Sequence, residues 1–242
     1  MAAPLVEIDD GWDFKVLILD GEWVMRIPRS ELSIEELEKE IELLPELGPS
    51  LPVAIPRFEH VSRRPPYVVY RLIRGEPLHD EDPDGIRVFL DALHSFDPGD
   101  LRVRPGWQEI YRAHVRDWRR VVTPLLDADE RRRGDALMGE IETLADFVPR
   151  LVHCDLGPSH LLCRDGRLVG VVDWGDAKVG DPAIDYAWLL NGPFPDWDVD
   201  EDLRRRARIY HRLGPWFEVE YGLRTERPEW VRTGLAGIRS RL

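Results

Sequence analysis

The stretch HLLCRDGRLVGVVDWG, residues 160–175, limits the fold more than any other part of this 242-residue chain. Asp165-Gly166 is a preferred pair for a two-residue hairpin turn, and apolar runs flank it on both sides. If the turn forms, Arg164 pairs with Arg167, and an uninterrupted ladder sets His160 opposite Val171. Asp173 then returns to the face of His160 as its diagonal neighbour, about 7–8 Å away at the backbone. Leu161, Cys163, Leu168 and Val172 are expected on the other face, against a core.

The hairpin is preceded by VHCDLGPSH, residues 152–160. Asp155 stands two positions after His153 and five before His160, so a short loop carries three titratable groups next to the hairpin. Phosphoryl transfer needs such parts: a carboxylate to orient and deprotonate an attacking hydroxyl, and metal ligands to hold phosphates. Asp155 fits the first role; Asp173 and His160 fit the second. Mg²⁺ prefers oxygen ligands, whereas imidazole suits Mn²⁺ better. Three roles therefore stay open for His160: direct metal ligand, holder of a metal-bound water, or hydrogen-bond partner of a phosphate. His153 is read as tying the loop to the core. Zinc is not expected, because Cys163 should point away from His160 and there is no C-x-x-C pair.

Upstream, PLVEI (4–8), FKVLILD (14–20) and EWVMRIP (22–28) read as short strands, the last two joined by an Asp20-Gly21 turn. Ser30 or Ser33 should cap an acidic helix over 31–47, with Leu37, Ile41 and Leu44 at helical spacing. RFEHVS and PYVVYRLI supply two further strands, and RGEPLHDEDPDG (74–85) reads as a turn-rich linker. Beyond it the pattern is mainly helical. Residues 84–96 place Val88, Phe89, Ala92, Leu93 and Phe96 on one face. Two longer helices are expected over 106–126 and 129–146, strands over 149–175, and helices again from 182. The expected fold class is α+β and bilobal, kinase-like: a small antiparallel sheet lobe with one helix over 1–73, a hinge at about 70–77, and a mainly helical lobe over 74–242.

A formal charge of −13 argues against general nucleic-acid binding, which needs a basic face. No apolar run is long enough to span a bilayer, and the N-terminus lacks the basic start and apolar stretch of a signal peptide. Two cysteines are too few for a disulfide framework, so a reducing, cytoplasmic setting is expected. No obligate protein partner is evident.

These residues carry a resemblance to the aminoglycoside phosphotransferase family, which shares the protein-kinase architecture. VHCDLGPSH resembles its catalytic loop, and VVDWGDAKVGDPAIDYAWLL its metal segment. GEWVMRIPR resembles the family's third strand, which makes Arg26 the basic residue directed at the nucleotide phosphates. Glu40 matches the helix glutamate that pairs with it. PPYVVYRLIRGEPL resembles the last strand and hinge, with Tyr70, Arg71 and Leu72 nearest the nucleobase. The resemblance implies ATP or GTP as phosphate donor, Mg²⁺ or alternatively Mn²⁺, and a small-molecule hydroxyl substrate such as an aminoglycoside or macrolide.

The chain departs from the family's H-G-D-x-x-x-x-N loop. Cys154 replaces the glycine and His160 the asparagine; the macrolide branch also carries a histidine there. The loop DDGWD (9–13) that would cover the nucleotide has one glycine. Two other readings stay open: a kinase for a metabolite such as an amino alcohol or sugar, and a nucleotide-binding pseudokinase that senses or binds a partner. Asp181 and Asp185 are read as capping and bracing residues, and Asp200 in the acidic run 195–202 as a helix cap. Trp188, Trp197, Tyr210 and Trp216 fit a helical core better than a substrate pocket.

Overall fold

Short runs rich in β-branched, aromatic and aliphatic residues build a five-stranded antiparallel sheet from β1 (Leu5–Ile8), β2 (Phe14–Leu19), β3 (Trp23–Pro28), β4 (Phe58–Arg63) and β5 (Pro66–Arg71), in the order β1-β2-β3-β5-β4. The computed structural model describes residues 5–8, 11–99, 101, 107–144 and 147–242. Asp9 and Asp10 of the nucleotide-covering loop lie outside them. Asp20 and Gly21 make the β2–β3 turn, both with positive φ, at 55° and 63°. Ser30, not Ser33, caps α1 (Glu31–Leu47): its hydroxyl accepts the Ser33 N–H at 3.1 Å. Leu37 of α1 packs with Phe14 and Val68 under the sheet. Each such buried side chain contributes about 1.5–3 kcal/mol of transfer free energy.

Residues 74–85 do more than link. Within them β6 (Glu76–Pro77) pairs with β8 (Leu161–Arg164), which pairs with β9 (Arg167–Val171), so the catalytic hairpin gains a third strand. Leu78 is buried there. Asp82 caps α2 (Pro83–Ser95) by accepting the Gly85 N–H at 3.1 Å, and its other oxygen accepts the Leu168 N–H at 2.9 Å. The turn signals of this stretch are real, but its pairing is tertiary and leaves no local pattern. The buried stripe of α2 is Ile86, Phe89, Leu90 and Leu93, whereas Val88 is 56% exposed. Both stripes satisfy helical spacing, and packing selected the one offset toward Ile86.

The hairpin forms with its Asp165-Gly166 turn (φ 52° and 72°) and with Arg164 opposite Arg167. The ladder is then interrupted. A bulge shifts the register between Cys163 and Leu162, so Leu162 faces Gly170 and Leu161 faces Val171. Ala54 explains the shift. Its N–H donates to the Val169 carbonyl at 3.0 Å and its carbonyl accepts the Val171 N–H at 2.9 Å, drawing β9 outward. Gly170 permits the approach, since a Cβ there would meet Ile73 at 2.4 Å. One slipped residue exchanges faces: Val171 is fully buried while Val172 is only partly so, the reverse of the uninterrupted ladder.

The chain divides into two compact units, Met1–Arg104 with Arg150–Lys178, and Pro105–Pro149 with Val179–Leu242. The second contains α3 (Trp107–Val121), α4 (Ala128–Glu142), α5 (Ala187–Asn191), α6 (Glu201–Arg224) and α7 (Pro228–Arg241). The expected helix over 106–126 ends earlier, passing into a 3₁₀ turn at Thr123–Leu125, where Pro124 removes a donor. Asp127 and Glu130 form a capping box on α4, and Asp200 caps α6. Trp197, Tyr210 and Trp216 are buried, as a core reading requires. Trp118 donates its indole N–H to Glu220 at 2.6 Å, and His114 stacks on Trp118 at 5.6 Å. Asp181 accepts from Arg206 at 2.9 Å, from the Tyr210 hydroxyl at 3.1 Å and from the Ala183 N–H at 3.0 Å. That is bracing, as expected. Among the described residues, no helix is long and apolar enough to cross a membrane.

Candidate active site

Strand β7 (Arg150–Val152) ends in the loop that carries the three residues of interest. His153 is fully buried, and its Nε2 lies 3.0 Å from the Val172 carbonyl while its Nδ1 accepts the Asp155 N–H at 3.3 Å. This arrangement sets a neutral ring with Nε2 protonated, so His153 locks the loop rather than carrying protons. Cys154 adopts φ 73°, the left-handed conformation that favours glycine. Its presence in place of the family's glycine therefore carries strain of about 1–2 kcal/mol.

His160 stands between two aspartates. Its Nδ1 lies 2.7 Å from the Asp155 carbonyl oxygen and 3.3 Å from the Asp155 carboxylate, and its Nε2 lies 3.7 Å from Asp173 Oδ2. The carbonyl can only accept, so Nδ1 carries a proton, and in the neutral ring the Nε2 lone pair faces Asp173. The expected juxtaposition is present, by another route. With the bulge, the Val172 N–H donates to the His160 carbonyl at 3.0 Å, which would send Asp173 to the opposite face. Asp173 avoids this by leaving the strand with φ 63°.

Arg26 reaches the same carboxylate. Its guanidinium, 4% exposed, donates to Glu40 at 2.7 Å and to Asp173 Oδ1 at 3.0 Å, and lies 4.0 Å from the centroid of the Phe14 ring. Desolvation opposes its charge, but Glu40 and then Asp173 outweigh it and hold the guanidinium pKa above the ordinary range. Glu40 is fully buried, and among the described residues its second oxygen has no hydrogen-bond partner. Tyr70 is buried beside this group, and desolvation pushes its phenol up to about 12. The structure thus brings Arg26, Glu40, Tyr70, Asp155, His160 and Asp173 together. Leu72 stands apart: it donates its N–H to the Glu22 carbonyl at 2.8 Å and lines a groove with Arg57 and Arg74.

The Asp155 carboxylate is 58% exposed, yet its pKa is raised to about 6. Desolvation contributes most to the shift. His160 opposes the shift, while Asp176, Asp173 and Asp13 add to it. The exposed side leaves a carboxylate oxygen accessible. Asp176, Asp13 and Glu36 were not singled out in the sequence. The available signal was DWGD, which puts Asp176 one turn after Asp173, where the Ala177 N–H closes on the Trp174 carbonyl at 3.0 Å. Glu36, desolvated and close to Asp176 and Asp13, is raised to about 8.

Among the described residues, no three His, Cys, Asp or Glu side chains converge on a ready-made metal site. His160 Nε2 and Asp173 Oδ2 are a pair of donors facing one point, and Arg26 takes the other Asp173 oxygen. That donor set fits Mg²⁺ or Mn²⁺ in a phosphate-bearing site, where one or two protein ligands are completed by phosphates and water.

A sheet with its helix, a catalytic loop and a D-W-G hairpin define the class of kinase-like phosphotransferases. Residues 4–222 match the profile of the phosphotransferase enzyme family (APH), and the chain belongs to that family. It is 29% identical to viomycin phosphotransferase of Streptomyces vinaceus over 143 residues. The match takes in 51% of this chain and 49% of that enzyme, so the chain spans about half the length of that relative. The GDP and kanamycin complex of APH(2″)-IIIa superposes with a TM-score of 0.87 at 26% identity, covering 98% of this chain and 92% of that one. Macrolide 2′-phosphotransferase type I follows with a TM-score of 0.74 at 22% identity over 97% and 90% of the two chains, a likeness of fold.

Proposed function

We propose that the protein is a small-molecule kinase that moves the terminal phosphate of a nucleoside triphosphate to a hydroxyl of an antibiotic. The observation that carries this reading is the cluster itself: an accessible aspartate of raised pKa 3.3 Å from a histidine that also faces Asp173. Family membership and the kinase-like fold support it. Residues 1–73 form the nucleotide lobe with its hinge at 70–77, and 74–242 the catalytic and substrate lobe.

Asp155 is the catalytic base: its carboxylate accepts the proton of the substrate hydroxyl as that oxygen attacks phosphorus. His160 holds Asp155 in place through its carbonyl, and its Nε2 together with Asp173 would hold Mg²⁺ or Mn²⁺. A metal bound there would neutralise phosphate charge. Arg26, kept rigid by Glu40, contributes a fixed positive charge to the phosphates, while Tyr70 and Leu72 border the nucleobase. Nearly all the rate enhancement is then positioning and charge neutralisation. The GDP bound to APH(2″)-IIIa makes GTP the first donor to try, with ATP as the second.

The test is transfer from γ-labelled GTP or ATP, with Mg²⁺ or Mn²⁺, to a panel of viomycin-like peptides, aminoglycosides, macrolides, amino alcohols and sugars. Labelled antibiotic product is expected. Labelled amino alcohol or sugar alone would move the substrate class to metabolites, and no transfer with intact nucleotide binding would overturn the enzyme reading.

A further inference from the structure

The groove that holds Leu72 lies outside the catalytic cluster and is rich in arginine. It measures about 340 Å³, within the range of small-ligand sites. Three separate segments of the first unit build it: residues 54–59 before and within β4, residues 71–74 after β5, and the hairpin through Arg164 and Val169. Four arginines, Arg57, Arg71, Arg74 and Arg164, line it against one acidic residue, Glu59. The chain as a whole carries a formal charge of −13, so this concentration of positive charge runs against its composition.

The four arginines fall into two pairs. Arg71 is engaged: it lies 3.0 Å from Glu22 and 3.7 Å from Glu59, and stacks on Trp23 at 3.7 Å. Arg74 donates to the Gly21 carbonyl at 2.9 Å. Arg57 and Arg164 are both exposed, and among the described residues neither has an ion-pair or hydrogen-bond partner. Like charges on one groove repel, and among the described residues no carboxylate pairs with Arg57 or Arg164. A guanidinium is a planar fork that pairs two donors with the oxygens of one phosphate. Arginines fixed on three segments suit an anion with several such oxygen sets in a row better than a single carboxylate.

The geometry points to this groove as a binding site for a small oligophosphate, separate from the catalytic cluster, with Arg57 and Arg164 supplying the free charge and Arg71 and Arg74 the braced wall. Arg71 and Leu72 also border the nucleobase in the phosphotransferase reading, whereas Arg57 and Arg164 have no part in it, so tripolyphosphate binding and the phosphotransfer rate test the two readings separately.

Calorimetric titration of the whole protein with sodium tripolyphosphate, in EDTA and low salt, tests it. One binding event is expected, weakened at least tenfold in the Arg57→Ser/Arg164→Ser double variant, whose melting temperature and phosphotransfer rate should match the parent. ATP and GTP titrated into both proteins identify the natural source: a larger variant-sensitive affinity for a nucleotide than for tripolyphosphate assigns a nucleotide, and equal affinity assigns the inorganic chain. Undiminished tripolyphosphate binding in the double variant, no binding to either protein, or binding confined to long oligonucleotides would overturn the proposal.

Discussion

Two buried arginines show how differently this chain treats its charges. Arg206 is 7% exposed and sits in a closed network: Asp181 accepts from Arg206, Tyr210 and the Ala183 N–H, and Asp202, itself 47% exposed, has one oxygen taken by Arg206 and the other by Arg205. Arg26 is 4% exposed and sits in an open one: among the described residues one Glu40 oxygen has no hydrogen-bond partner, and the second Asp173 oxygen meets only His160 Nε2, at 3.7 Å. The closed network has used up its hydrogen-bonding capacity and can only brace. The open one keeps carboxylate oxygens that no donor has claimed, which a structural ion pair has no reason to do. That difference separates scaffold from site more clearly than burial, which is the same in both.

The sharpest break of the comparison is to remove each arginine in turn. Arg26→Met leaves Glu40 buried and uncompensated, at about 3–5 kcal/mol, and also removes the charge directed at the phosphates. Stability by urea unfolding and phosphotransfer rate should both fall, the rate by on the order of 10²-fold for protein that remains folded. Arg206→Met should cost a similar or somewhat smaller amount of stability, because Asp181 keeps two donors, and leave the rate per folded molecule unchanged. Equal rate losses in the two variants would erase the distinction.

The pH dependence of the open site is a smaller effect. Asp155 acts as a base only when ionised, and its pKa is raised to about 6. Phosphotransfer should therefore fall about tenfold per unit below pH 6, where an unshifted carboxylate would hold its rate to about pH 4. The stability sign is opposite. A carboxyl whose folded pKa is raised keeps its proton longer in the folded state, so folding loses stability as pH rises from about 4 to 6. Glu36, raised to about 8, extends that decline to higher pH. Glu36→Gln should flatten the melting-temperature profile between about pH 5 and 8. The smallest expected effect is that of Cys154→Gly, which relieves a φ of 73°. It should raise stability by about 0.5–1 kcal/mol net of the extra chain entropy of glycine, with activity retained.

What the sequence revealed follows from how local each signal is. Asp165-Gly166 encodes its own turn, and Ser30 its own cap, so the hairpin and α1 were legible. The pairing of Arg26 with Glu40 came from family resemblance, because nothing local links the end of a strand to the middle of a helix. The bulge in β9 was not legible. Its cause is the backbone of Ala54, which a ladder counted from the turn does not include. The meeting of His160 with Asp173 was anticipated, although for a reason the bulge removes; the left-handed φ of Asp173 restores it. The oligophosphate groove escaped notice because its arginines come from three segments, and each alone is an ordinary surface residue.

The open cluster as a phosphotransfer site is most directly tested by single-turnover transfer from γ-labelled nucleotide in the wild type and in Asp155→Asn, with melting temperatures measured alongside. Loss of the base should lower the rate by at least about 10²-fold. The variant should melt no lower than the wild type at pH 7, since a carboxylate disfavoured by desolvation and by Asp176, Asp173 and Asp13 has been neutralised. An Asp155→Asn protein that transfers phosphate at the wild-type rate, or that loses activity only by unfolding, would contradict the account.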